Sequence, residues 1–220
     1  MITDERITAY INSLEKDMPR ELIGLERQAL ENHVPIIKKE TQGLLRFLLR
    51  TARPKRVLEV GTAIGFSALF MSEYTQDDCT ITTIEKVQMR LVEAVKNLSD
   101  ETFPHKDKVR LIQGEALTVL MDLAGKGDKY DFIFLDAAKA QYMRFLPELM
   151  KLIGNGGLLV TDNVLQDGTV INSRYSITRR DRTIHARMRE YLYEITHMEA
   201  LDTVILPVGD GIAISYKFGG

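Results

Sequence analysis

Residues Arg56–Tyr74 read RVLEVGTAIGFSALFMSEY. RVLEV (56–60) is a short apolar run of the kind that forms a buried strand. Gly61 and Gly65 bracket a three-residue turn, and GFSALFMSEY then takes a helical spacing. Strand, glycine turn and helix together open a parallel α/β unit. The same texture recurs downstream. TITTIE (80–85), KVRLIQ (108–113), YDFIFLD (130–136) and GLLVTD (157–162) are expected strands. Helices QMRLVEAVKNL, ALTVLMDLA and AQYMRFLPELMKLI separate them. A further helix is expected near 181–196. The strands TVILPV and IAISYKF then form an antiparallel hairpin through Gly209-Asp210-Gly211. The fold class is therefore α/β: a doubly wound, mostly parallel seven-stranded sheet with a C-terminal antiparallel hairpin.

Upstream of residue 53 the pattern is helical throughout. Ile7, Ile11 and Leu14, then Leu22, Leu25 and Leu30, then Leu44, Leu45, Leu48 and Leu49 recur at helical spacing, and Pro19 and Pro35 divide them into about three helices. A packing layer, a substrate lid and a dimer contact fit this pattern equally well. The expectation is one domain over 1–220, with a helical layer at 1–52 and an α/β core at 53–220.

Composition narrows the function. The net charge of −2 excludes a generally basic nucleic-acid coat. No run of about 18 apolar residues exists to cross a membrane, and the charged N-terminus does not read as a signal peptide, so the chain is expected to be cytoplasmic. A single cysteine, Cys79, excludes an internal disulfide framework and reads as a core residue. His33, His105, His185 and His197 show no metal-ligand spacing and are expected at the surface or locally hydrogen-bonded.

Ligands of open α/β sheets sit beyond the carboxyl ends of the strands. Glu59, Glu85, Glu115, Asp136 and Asp162-Asn163 all fall on that rim. The turn lacks both the G-x-G-x-x-G spacing of dehydrogenases and the G-K-[ST] of a phosphate loop. Taken alone it is a tight turn or a ligand cradle. Glu85, about 20 residues on, is placed to bond ribose hydroxyls. With strand order 3-2-1-4-5, Asp136 and Asp162-Asn163 lie on neighbouring strands about 4.8 Å apart. Each could be a simple cap. Together they form a hard oxygen set for Mg²⁺, Mn²⁺ or Ca²⁺.

Glu59-Val60-Gly61-Thr62-Ala63-Ile64-Gly65-Phe66-Ser67, Glu85, Gly114-Glu115-Ala116, Leu135-Asp136-Ala137-Ala138-Lys139 and Asp162-Asn163 resemble the cation-dependent class I O-methyltransferases that use S-adenosylmethionine, the catechol and caffeoyl-CoA type. The likeness covers nearly the whole chain. It is similar in particular to the bacterial tRNA 5-hydroxyuridine methyltransferases, also through Pro207–Ala213. The resemblance implies a Rossmann-like fold and a homodimer. It implies cofactor contacts at Ile37, Glu59, Gly61, Thr62, Ser67, Glu85, Glu115, Ala116 and Asp136. Asp136, Asp162 and Asn163 would hold the metal, and Lys139, with Asp136, would be catalytic, accepting the acceptor's proton. Position 115 is Glu where relatives often carry Asp, and 40–45 departs from the usual order. Arg174, Arg179, Arg180, Arg182, Arg187 and Arg189 face one acid, Asp181, within 174–189. They read as a solvated helix face, as phosphate contacts to tRNA, or as contacts to a coenzyme A thioester. The expected reaction is methylation of 5-hydroxyuridine at the tRNA wobble position to 5-methoxyuridine. The alternative acceptor is a small catechol or caffeoyl-CoA-like phenol.

Overall fold

A computed structural model describes residues 3–173, 175–179 and 181–219. Arg174 and Arg180 lie outside the described residues. The elements run α1 (Glu5–Ser13), α2 (Arg20–Glu31), α3 (Lys39–Ala52), β1 (Arg56–Val60), α4 (Phe66–Tyr74), β2 (Thr80–Glu85), α5 (Gln88–Leu98), β3 (Val109–Gln113), α6 (Ala116–Gly125) and β4 (Tyr130–Leu135). They continue with α7 (Tyr142–Leu152), β5 (Ile153–Thr161), α8 (Arg182–His197), β6 (Leu201–Leu206) and β7 (Ile212–Lys217). The sheet order is β3-β2-β1-β4-β5-β7-β6. The first five strands pair in parallel, and β7 runs antiparallel to both β5 and β6. The expected order and closing hairpin are therefore present.

Strand periodicity sorts the core into two layers, because successive side chains point to opposite faces. Leu58, Val60, Ile133 and Leu135 face α6, α7 and α8, packing with Leu120, Leu149 and Tyr191. Val57, Phe132 and Phe134 face the other side, with Phe66 and Phe70 of α4. Leu22, Leu25 and Ala29 of α2 and Leu45 and Leu49 of α3 belong to that second layer. The helical N-terminus is thus a packing layer. Its first helix differs: α1 has no buried residue, and Ile7, Tyr10, Ile11 and Leu14 are exposed.

Three boundaries differ from the sequence expectation. β5 begins at Ile153, not 157. Ile153 pairs with Tyr130 and the register then shifts before Phe132 meets Leu158. The glycines at 154, 156 and 157 disguise this bulged start as a turn. α7 begins only at Tyr142, after a 3-10 turn at Lys139–Gln141. β6 spans Leu201–Leu206 and stops before Pro207, which has no N–H for the ladder.

Two tyrosines tie this frame to the end of β5. The hydroxyls of Tyr191 and Thr161 bond at 2.7 Å in the core, and Tyr142 Oη donates to the carbonyl of Asp162 at 3.3 Å. Among the described residues no helix is long and apolar enough to cross a membrane. Tyr191→Phe should leave the Thr161 hydroxyl buried without its partner. A loss of about 1–2 kcal/mol in urea unfolding is expected; unchanged stability would show that this bond contributes nothing.

Candidate active site

The turn after β1 is shaped by its glycines. Gly61 has φ of +110° and Gly65 of +89°, a region that only glycine enters freely. A Cβ at Gly61 would lie 1.9 Å from the carbonyl oxygen of Asp136. The turns after β1 and β4 are thus in backbone contact. The amides of Gly61 and Thr62 both donate to the Ile84 carbonyl at 3.1 Å, and the Asp136 amide donates to Val60 at 3.1 Å. Three strand ends are stitched together at this point.

Glu85 ends β2 with its carboxylate fully engaged. Oε2 accepts from the Ala63 amide at 3.0 Å, and Oε1 accepts from the amides of Lys86 and Val87 at 2.8 and 2.9 Å. The acid is fixed against the glycine turn, with lone pairs left for a ligand. Glu115 meets Lys86 at 2.8 Å at the surface, and Ala116 opens α6.

Ile37, Gly61, Thr62, Ser67, Glu85, Glu115, Ala116, Asp136, Lys139, Asp162 and Asn163 all line one cavity of about 820 Å³. Glu59 does not line it. It lies behind the wall, 0% exposed, and accepts from the Thr83 hydroxyl at 2.5 Å, while that oxygen also bonds Thr62 Oγ1 at 2.5 Å. Burial pushes Glu59 up to about 7, against the opposing hydroxyls of Ser67 and Thr83. Its place is to hold Thr62 from beneath.

The far end of the cavity holds Asp136, half-buried, and Asp162, buried. Burial raises both carboxyls, and the neighbouring Asp136 charge raises Asp162 further. The charges of Lys139 and Arg90 act in the opposite direction on Asp136. Asp162 Oδ1 accepts from the Asn163 amide at 2.6 Å, and Asn163 is in the left-handed region with φ of +61°, which Asn tolerates better than most residues. Among the described residues no three His, Cys, Asp or Glu side chains are grouped to hold an ion. The two carboxylates and the Asn163 amide are therefore a mixed oxygen set. Two mutually repelling acids, one buried and one half-buried, with no ion-paired cation among the described residues, fit a divalent ion in chemistry and charge.

Lys139 opens the 3-10 turn ahead of α7 rather than the helix itself, so the helix dipole opposes it less than a helix-start position would. Arg187 of α8 donates to the Ala140 carbonyl at 2.9 Å, docking α8 on that turn. Arg179 and Arg182 are not on the cavity wall; Arg182 Nε donates to the Ile177 carbonyl at 3.2 Å. His185 departs from the surface expectation. It is 3% exposed, and its Nε2 has no hydrogen-bond partner among the described residues.

Three lining residues were not among the site residues expected from the sequence: Arg90 on the exposed face of α5, Lys38 before α3, and Asp210 in the β6–β7 turn. Asp210 Oδ2 accepts from Asn163 Nδ2 at 3.4 Å. The hairpin turn also receives the amides of Val164 and Leu165, at 2.9 and 3.0 Å on the carbonyls of Gly211 and Asp210. The sequence marked that turn by its Gly-Asp-Gly punctuation, read as hairpin chemistry, and by the family likeness of Pro207–Ala213.

The family model for O-methyltransferases matches residues 10–218. The chain belongs to the O-methyltransferase family. It is 32% identical over 228 residues to a caffeoyl-CoA O-methyltransferase of Stellaria longipes, covering 96% of this chain and 90% of that protein. A solved Staphylococcus aureus structure with a provisional caffeoyl-CoA O-methyltransferase assignment superposes with a TM-score of 0.83 at 31% identity, covering 97% and 98% of the two chains. The Streptomyces achromogenes O-methyltransferase TomG, solved with S-adenosylmethionine, shares the fold at a TM-score of 0.83 and 23% identity, with each chain covered in full. The chain is accordingly an O-methyltransferase by family, with the fold of the S-adenosylmethionine-bound TomG.

The raised acids have a consequence for stability. Glu59, Asp136 and Asp162 have folded values above the usual carboxylate value of about 4. Between that value and the folded one, the unfolded chain has released protons that the folded chain keeps. Stability therefore falls as pH rises through this window. The cation-free protein should melt at a lower temperature at pH 8 than at pH 5. Asp136→Asn, which removes one of the repelling charges, should be more stable than wild type at pH 8 by about 1–2 kcal/mol, with the gap closing toward pH 5. Scanning calorimetry over that range reads both effects, and a melting temperature that rises with pH would contradict them.

Proposed function

We propose that this enzyme methylates one oxygen of a vicinal oxygen pair, with a divalent cation, Mg²⁺ before Mn²⁺ or Ca²⁺, held by Asp136, Asp162 and Asn163. The observation that carries the reading is the crowding of two acids, Asp162 buried and Asp136 half-buried, beside an amide, in the same cavity as the glycine turn and Glu85. S-adenosylmethionine supplies a methyl group on a sulfonium. Glu85 takes its ribose hydroxyls, Glu115 and Ala116 flank the adenine, and Gly61, Thr62, Ser67 and the Ile37 backbone hold the methionine end. When bound, the cation would act as a Lewis acid on the acceptor oxygens. Lys139 Nζ receives the acceptor's proton as the new O–CH₃ bond forms and the S–CH₃ bond breaks. The rest is positioning of the two reactants in line.

The acceptor class best supported is a small catechol or a caffeoyl-CoA-like phenol, the substrate type in the names of the relatives. A second reading, 5-hydroxyuridine of tRNA, rests on Arg179, Arg182, Arg187 and Arg189 in and before α8, beside a Tyr175 that is 91% exposed. Arginines for phosphates and an exposed aromatic for stacking suit a single-stranded loop. Either acceptor is met in the cytoplasm, and a cytoplasmic location goes with this proposal. The exposed apolar residues of α1 support self-association of the chain as a homodimer.

Mass spectrometry of products from caffeoyl-CoA, a catechol and tRNA, each with S-adenosylmethionine and Mg²⁺, tests both readings. Asp162→Ala should lose more than about 100-fold in turnover, on the scale of about 3 kcal/mol or more. Its affinity for S-adenosylhomocysteine should stay within a few-fold of wild type. Full turnover in EDTA would remove the cation from the mechanism. Arg179→Glu with Arg182→Glu should abolish methylation of tRNA and spare the catechol; equal losses on both would remove the RNA reading.

A further inference from the structure

The connector between α2 and α3, residues 34–38, runs extended along one wall of the cavity. Its inner side is pinned by hydrogen bonds to buried groups. The Val34 amide donates to Ala29 at 2.9 Å. Gln42 Nε2 donates to the Ile37 carbonyl at 2.9 Å and to Glu26 Oε1 at 2.9 Å. Its outer end is held by one cation. Lys38 Nζ bonds Asp210 in the β6–β7 turn, and Asp167 at 3.3 Å in the turn after β5.

Local sequence does not explain that lysine. Lys38 is the N-cap of α3, where it makes no capping bond and its charge meets the positive end of the helix dipole. Two acids from distant segments offset this. The hairpin turn is brought close to receive it: a Cβ at Gly209 would lie 2.6 Å from Thr41 Oγ1 and 3.8 Å from Lys38 Cβ. The same Asp210 holds the Asn163 amide nitrogen through its other oxygen. One ion-pair cluster therefore joins the cavity wall that carries Ile37, the hairpin turn, and the amide at the acidic end of the cavity.

We propose that Lys38 is a positioning residue, a clasp that fastens the 34–38 connector to Asp210 and Asp167 and so sets how long the cofactor is retained. The inference rests on the cofactor site proposed above. The clasp is half-exposed, so salt screens it in part. With the clasp open, the connector keeps only its inner bonds, and the cofactor leaves faster.

The test is release and affinity of S-adenosylhomocysteine, measured on the full chain by surface plasmon resonance and calorimetry, without added cation or acceptor. This keeps its outcome separate from the metal and acceptor readings. Lys38→Met should raise the dissociation rate and Kd about five- to tenfold, the scale of a small ion-pair network. Lys38→Arg should stay within about twofold of wild type, because it keeps the charge. Lys38→Glu should be worse than Lys38→Met, since it sets a third acid beside Asp167 and Asp210. Adding Asp167→Lys to Lys38→Glu returns one cation between two acids and should restore most of the retention. Raising NaCl from about 0.05 to about 0.5 M should speed release from wild type at least about threefold and leave Lys38→Met unchanged. In turnover, the KM for S-adenosylmethionine should rise with kcat nearly constant. Release from Lys38→Met at the wild-type rate, a charge swap no better than Lys38→Glu, or wild-type release indifferent to salt would each overturn the clasp. The salt measurement on wild type needs no variant to fold.

Discussion

The carbonyl oxygen of Asp136 lies where a side chain at position 61 would have to be. That single close approach fixes the distance between the turns after β1 and β4. The first turn offers backbone and Thr62 to the cavity; the second delivers Asp136 and Lys139 to its far end. A bulkier residue at 61 would push the turns apart and separate the two ends of the cavity. The hydrogen bonds of Gly61 and Thr62 to Ile84, and of Asp136 to Val60, hold the contact closed. Much else in the site is built outward from this seam.

The second constraint is electrostatic. Two acids, Glu59 and Asp162, are buried within this small region, and a third, Asp136, is half-buried beside them. Burial alone disfavours their charged forms, and proximity adds repulsion between Asp136 and Asp162. A sequence selected for stability alone would place neutral groups there. Such a site is stabilised by what binds it, and weakened by its own charges when nothing does. Glu59 shows a different use of the same cost. It touches no part of the cavity, yet its carboxylate orders Thr83 and through it Thr62.

The strand order, the seven strands and the gathering of the strand-end side chains on one rim were legible in the sequence. Period-two apolar runs bounded by glycine announce parallel strands, and every strand end then lies on one rim by topology. That is why Glu85, Asp136 and Asp162 could be placed together from their positions in sequence. Two of the shifted boundaries share one cause. At Ile153 and at Lys139 the local residues suit two conformations, and pairing or packing with distant partners chose between them. The β4–β5 register shifts between Tyr130 and Phe132, whereas at Pro207 the missing N–H is a local stop.

The sequence by itself determined which side chains stand at the carboxyl ends of the strands, because alternation along a strand and the parallel order leave no other place for them. The tertiary structure alone decided which remote residues complete the site. Lys38 and Asp210 are 172 positions apart, and nothing in the local pattern of either points to the other. Helical periodicity likewise could not say that α2 and α3 cover the sheet while α1 leaves its apolar residues exposed. Periodicity encodes that a face is apolar; only the packed chain decides what meets it, since burial is a property of distance in space and not of distance along the chain.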